Sequence, residues 1–194
     1  MTTFEAVPGL AEAERRYGHP EVRSYDLDDW GDLERFWQMW RRRRAEVVLV
    51  ILRHDGRVVL QTKRFYPPGA FRLPSGSLQE GEHLLAGVRR ELSEETGLEA
   101  SVVRLLGILR YHFRRGGEPM ERASYVLLVD GGAAPLSPRD ESEGITAFRE
   151  VAMSELPAVA ESLERLPGEW AVWGQFRALA HRFVAEAVDV RSEE

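Results

Sequence analysis

The chain contains no cysteine. Disulfides, thiolate-held metals and a cysteine nucleophile are excluded with it. Lysine is almost as scarce: Lys63 stands alone and every other basic residue is arginine, a compositional bias with no functional meaning of its own. No apolar run approaches the roughly 18 residues of a membrane span, and residues 1–16 are polar and acidic, unlike a secretory leader. A cytoplasmic protein is expected. A basic surface is missing as well. Across 194 residues, 26 basic and 32 acidic side chains give a net charge of −6, whereas domains that grip nucleic acid through its phosphates are usually basic. Neither nucleic acid nor membrane is expected as a partner. What is present suits one globular domain with a single core and a short extension: 43% hydrophobic and 30% charged residues.

Residues 1–44 read as an N-terminal extension, partly helical and rich in tryptophan. Trp30, Leu33, Trp37 and Trp40 recur at i, i+3, i+7 and i+10, the stripe of a helix. Such a stripe covers the core or a second copy of the chain, or stacks a nucleobase. Its apolar surface makes a homodimer a reasonable expectation. Arg41–Arg44 follow, either as a solvated helix end favoured by the dipole or as contacts to substrate phosphate.

From there the pattern turns to strands. Glu46–Leu52 is nearly all aliphatic and predicts a buried strand. His54-Asp55-Gly56 is a turn signal, and 57–63 alternates as its hairpin partner. Pro67-Pro68-Gly69 breaks the chain, and Phe71–Gly76 leads into a loop. Residues 82–96 predict a helix with Leu85, Val88 and Leu92 on its apolar face and Gly97 at its end. Strands are expected over 102–110 and 122–129, joined through Gly116-Gly117, then a long loop over 131–144 and a short strand over 145–151. A helix over 154–163 capped by Ser154 and an amphipathic one over 170–188 close the chain. The order implies an α/β sandwich with a mixed sheet over residues 45–188.

The chemistry concentrates between Gly76 and Leu98. Glu91, Glu94 and Glu95 stand at i, i+3 and i+4, within a 100° arc of a helix and beside its apolar stripe. Three adjacent carboxylates repel one another, and in the last turn the helix dipole disfavours them further. A divalent cation removes that cost. All-oxygen ligation suits Mg²⁺, Mn²⁺ or Ca²⁺ rather than zinc. Mg²⁺ keeps several waters and is completed by substrate phosphates, so it can orient a diphosphate and lower the pKa of an attacking water.

Gly76, five residues, Glu82, seven residues, Arg90-Glu91, an aliphatic, any residue, Glu94-Glu95, any residue, Gly97, an aliphatic: this run matches the Nudix box position by position. Fixed positions at about 7% each make a chance match on the order of 10⁻⁸ per start. The chain resembles the Nudix hydrolase superfamily, and the resemblance implies its α/β/α sandwich and a Mg²⁺-dependent hydrolase of phosphoanhydrides, with Mn²⁺ as a substitute. It implies that Glu91, Glu94 and Glu95 are metal ligands together with the carbonyl of Gly76. It makes Arg90 and Glu82 the groups that orient those ligands, and Gly97 structural. Relatives draw a general base from the box or from a distant loop, which here means Glu143 or Glu141.

The substrate is less defined. Lys63-Arg64-Phe65-Tyr66 and Phe71–Gly76 resemble the segment before the box in ADP-ribose and nucleotide-sugar pyrophosphatases, but Arg72 stands where those carry an acid. Arg114 stands about where they carry a proline. The expectation is a nucleoside diphosphate linked to a sugar or similar group. Arg64, Arg72, Arg110 and Arg114 are candidate phosphate contacts, and no histidine takes a catalytic role. A nucleoside triphosphate pyrophosphohydrolase is the enzymatic alternative. A non-catalytic ligand sensor is the alternative of another class; sensors of this type carry a winged DNA-binding domain, for which the extension and tail are too short.

Overall fold

The computed structural model describes residues 7–28, 37, 45–115 and 117–189. Four helices and seven strands are named within them: α1 (Leu10–Tyr17), β1 (Glu21–Asp28), β2 (Ala45–Arg53), β3 (Val58–Lys63), β4 (Ser75–Ser77), α2 (Leu84–Thr96), β5 (Ser101–Arg115), β6 (Glu118–Gly132), β7 (Ile145–Val151), α3 (Leu156–Glu164) and α4 (Ala171–Asp189). The strands form one mixed sheet in the order β1-β5-β6-β2-β3-β7, with β4 on β2. β1 runs parallel to β5 and β2 parallel to β6, while the remaining pairs are antiparallel. The expected α/β sandwich with a mixed sheet is what forms.

β2 is the spine because it is apolar on both faces, as a central strand must be. Val47, Leu49 and Ile51 join Leu85, Val88 and Leu92 of α2 in one core. Val48 and Val50 join Trp173, Phe176 and Phe183 of α4 in the other. Each buried side chain of this size contributes about 1.5–3 kcal/mol, so the sheet is clamped from both sides.

The β2–β3 hairpin turns at Asp55-Gly56 as its sequence predicts. Gly56 has φ 81°, Gly56 N–H donates to Arg53 O and the Asp55 carboxylate accepts from Arg57 N–H. Leu52 faces Val58 beside the turn, and then the strands part. Segment 72–77 wedges between them. Leu49 N–H donates to Pro74 O at 2.8 Å, and Gln61 exchanges backbone hydrogen bonds with Arg72 at 2.8 and 3.0 Å. The run before the box, expected as a loop, is thus strand-like, because both parted strands offer it unpaired backbone groups. This wedge fixes Gly76 against the sheet.

Several boundaries move. α2 starts at Leu84, not at Glu82: Leu84 N–H donates to Pro8 O, so the N-terminal segment caps it. β5 and β6 are longer than expected. β1 pairs with Gly107–Arg114 and gives the polar end of β5 a second backbone partner. α3 begins at Leu156 after a 3₁₀ turn over Met153–Glu155, and Ser154 does not cap it; the Glu155 carboxylate accepts from Ala152 N–H at 2.7 Å instead. Trp37 is buried in the α4-side core, whereas Trp30, Leu33, Trp40 and Arg41–Arg44 lie outside the described residues. Among the described residues no helix is long and apolar enough to cross a membrane.

Candidate active site

α2 puts Glu91 and Glu95 one turn apart on the side that meets the sheet. Both are buried, Glu95 completely. Glu94 projects to the rim and is one-third exposed. The expected trio therefore splits, two acids facing inward and one outward, because 100° per residue carries Glu94 around the helix to Arg90.

Arg90 organises the rim. Its guanidinium bonds both oxygens of Glu82 at 2.8 Å, Glu91 at 2.8 Å, Glu94 at 2.9 Å and the Ser77 carbonyl at 3.1 Å. These bonds hold the Glu82 carboxyl below its usual range, while burial opposes them. They also join the loop before α2 to the helix itself.

Glu91 leans directly on Gly76. A β-carbon built there would lie 1.8 Å from the Glu91 carboxyl carbon, so the residue must be glycine for Glu91 to occupy this place. Burial, reinforced by the charge of Glu95, pushes the Glu91 carboxyl up to about 7 against the pull of Arg90.

Glu95 meets Lys63 from the end of β3, at 2.8 Å. The same ammonium bonds Glu143. Burial works against the Lys63 charge, yet Glu95 and Glu143 more than offset it and its pKa rises. Glu143 reaches this place because the loop 131–144 docks on the C-terminal end of α2. Ser137 N–H donates to Thr96 O at 2.9 Å, and Arg139 and Asp140 N–H donate to Glu94 O at 3.1 and 3.3 Å. These are the carbonyls a helix end leaves without partners. Gly97, at φ 73°, lets the loop approach: a β-carbon there would stand 2.1 Å from Ser137 O. Among the described residues no three acidic or histidine side chains are drawn together to enclose an ion; Arg90 and Lys63 occupy the carboxylates instead.

The NUDIX domain family matches residues 42–171. The chain belongs to this family. An RNA pyrophosphohydrolase of Caulobacter vibrioides is 45% identical over 65 residues, covering 33% of this chain and 37% of the relative. An NAD-capped RNA hydrolase, NudC, of Mycobacterium tuberculosis is 30% identical over 141 residues, covering 66% of this chain and 42% of its own length. An ADP-ribose pyrophosphatase of Methanocaldococcus jannaschii is 29% identical over 124 residues, 63% of this chain and 70% of that one. The match thus spans about two-fifths of the length of each of the first two relatives.

Around the Nudix box the structure adds residues that sequence patterns passed over. Glu46 on β2 is 2% exposed and bonds Arg122 at 2.6 Å, Ser124 at 2.7 Å and Arg177 at 2.9 and 3.1 Å. Burial alone would raise its carboxyl, but the charges of Arg177 and Arg122 bring it to about 2. Arg177 also bonds the Ser75 hydroxyl at 3.1 Å. His181 is buried and neutral, its pKa lowered by burial to about 4. Its Nε2 accepts from Leu73 N–H at 3.0 Å, so its Nδ1 carries the proton donated to Arg177 O at 2.8 Å. Together they tie α4 to the segment before the box. The signal available in sequence was a lone acid opening an aliphatic strand.

The candidate phosphate contacts scatter. Arg64 is exposed, its N–H donating to Gly144 O at 2.8 Å and its side chain lying along Gly144, next to Glu143. Arg72 is buried, and its guanidinium bonds Tyr66, the Leu73 carbonyl and Ser75; these contacts hold the wedge and turn it inward. Arg110 is half-buried on β5, with β6 and β2 between it and the strand of Lys63. Arg114 is exposed at the far end of β5, and Glu141 is exposed on the loop. A cleft of about 280 Å³ between Pro68–Phe71 and α3 is lined by none of the box acids.

Proposed function

We propose that the chain is a Mg²⁺-dependent hydrolase of a phosphoanhydride bond in a nucleoside diphosphate linked to another group. The observation that carries this reading is Glu95. It is wholly buried, and its Oε2 meets no hydrogen-bond donor among the described residues, beside a second buried acid, Glu91, that burial and Glu95 both discourage from ionising. An orphaned carboxylate oxygen of this kind is costly unless a cation belongs there. The donor set is all oxygen and fits Mg²⁺ or Mn²⁺.

Glu91 and Glu95 would hold the ion, with the Gly76 carbonyl and Glu94 as further ligands. When bound, the ion supplies charge neutralisation at the diphosphate and a more acidic water. The chain's own residues do the rest. Arg90 fixes the orientation of Glu91 and Glu94. The docked loop carries Glu143 to the cluster as the acceptor of the water's proton. Arg64, at the open edge of that loop, is the candidate contact to phosphate.

The names of the three relatives share a phosphoanhydride next to a nucleoside, which favours this bond type over any one leaving group. A panel tests it: ADP-ribose, nucleotide sugars, nucleoside triphosphates, and triphosphorylated and NAD-capped RNA oligonucleotides, each with Mg²⁺ and Mn²⁺. The reading expects a nucleoside monophosphate and a phosphorylated partner from diphosphate-linked compounds, abolished by chelator and by Glu95→Gln. Release of pyrophosphate from triphosphates would move the substrate to that class. Absence of turnover across the panel would overturn the enzymatic reading.

A further inference from the structure

In a chain that writes every other cation as arginine, the single lysine is the one packed against the box acids. The choice has a physical reason. The ammonium stands between Glu95, which is fully buried, and Glu143, and is itself 7% exposed. A compact point charge with three donors suits such a gap, whereas the planar guanidinium fork does not. The position is also fixed by the fold: Val59, Gln61 and Lys63 alternate onto the α2 face of β3, and Lys63 faces Ile145 across the strand pair, next to the docked loop.

The consequence follows from charge. A buried carboxylate must be compensated at all times. A divalent ion on Glu95 would bring two like-signed charges to one carboxylate, and in this weakly screened place they repel strongly. The four-carbon stem gives the lysine somewhere to go, since Glu143 is already its second partner.

We propose that Lys63 is a tethered stand-in for the divalent ion: it neutralises Glu95 and Glu143 in the metal-free protein and releases Glu95 when the metal binds. This rests on the metal-dependent reading above. It adds that metal occupancy and the tether of the Glu143 loop are coupled through one side chain, which makes Lys63 a positioning residue for that loop.

The test exploits the single lysine. Protein grown with ¹³Cε-lysine gives one side-chain resonance that needs no assignment. Titrating Mg²⁺ into the full-length wild-type protein, with calorimetry in parallel, should move that resonance saturably with the calorimetric midpoint. Lys63→Met should bind Mn²⁺ roughly tenfold more tightly, because a competing charge is gone. Its melting temperature should fall without metal and recover with it. Saturable, Glu95-dependent metal binding with an unmoved lysine resonance would overturn the inference alone. No metal binding at all would overturn the proposed function with it. If Lys63→Met does not fold, the wild-type resonance still decides.

Discussion

The carboxylate of Glu91 rests on the bare α-carbon of Gly76, so closely that a β-carbon there would come within 1.8 Å of it. The box thus encodes a contact between two residues separated by the whole loop. Gly76→Ala must evict Glu91 or shift the wedge. Calorimetric Mg²⁺ affinity and turnover should both fall, and stability should drop by about 1–3 kcal/mol, as overpacking does. An alanine variant with unchanged metal affinity would mean that Glu91 does not hold the ion from this position.

Glu143 and Glu141 are two residues apart, and the sequence favoured Glu143 as the base because it stands just before a strand. The fold separates them: Glu143 bonds Lys63, and Glu141 is exposed. Glu143→Gln should lower kcat on the order of 10²- to 10⁴-fold, as loss of a general base does. Glu141→Gln should stay within about twofold, as exposed substitutions do. Equal effects from the two variants would remove Glu143 as the base.

His181 makes stability depend on pH. Burial lowers its folded pKa from 6.5 to about 4. Between those values the unfolded chain binds a proton that the folded chain refuses, so stability rises with pH through this window. The contribution is fully present above about 6.5 and is lost as pH falls through about 4. It amounts to about 3 kcal/mol at most. Urea titrations of the wild type at several pH values should show this slope, and His181→Gln should flatten it. An unchanged slope in the variant would place the dependence elsewhere.

Glu46 compensates the buried Arg122 and the largely buried Arg177 from one carboxylate. Glu46→Gln leaves Arg122 and Arg177 without that charge, and breaking a buried pair of this kind costs about 3–5 kcal/mol. Denaturant unfolding should show the loss. The same change should make the wedge more susceptible to proteolysis, because Arg177 also holds Ser75. A loss under about 1 kcal/mol would show that the cluster relaxes around a neutral partner.

Glu91 to Gly97 was legible as a helix end bearing a cluster of acids because spacing alone sets those acids near one another on an α-helix, and Gly97 and Arg90 obey rules of local geometry. β2, the Asp55-Gly56 turn and β7 were legible for the same reason: alternation, aliphatic runs and turn chemistry act over a few residues. β1 was not, because EVRSYDLD has no marked alternation and gains its order from the backbone of β5. The three-dimensional fold alone decided that Arg72 faces the interior, that the wedge parts the hairpin, and that Lys63 meets Glu95 and Glu143. Those outcomes depend on which backbone groups remain unpaired after the local elements form, and on which charges burial forces together. Both are properties of the assembled sheet, which joins residues far apart in the chain.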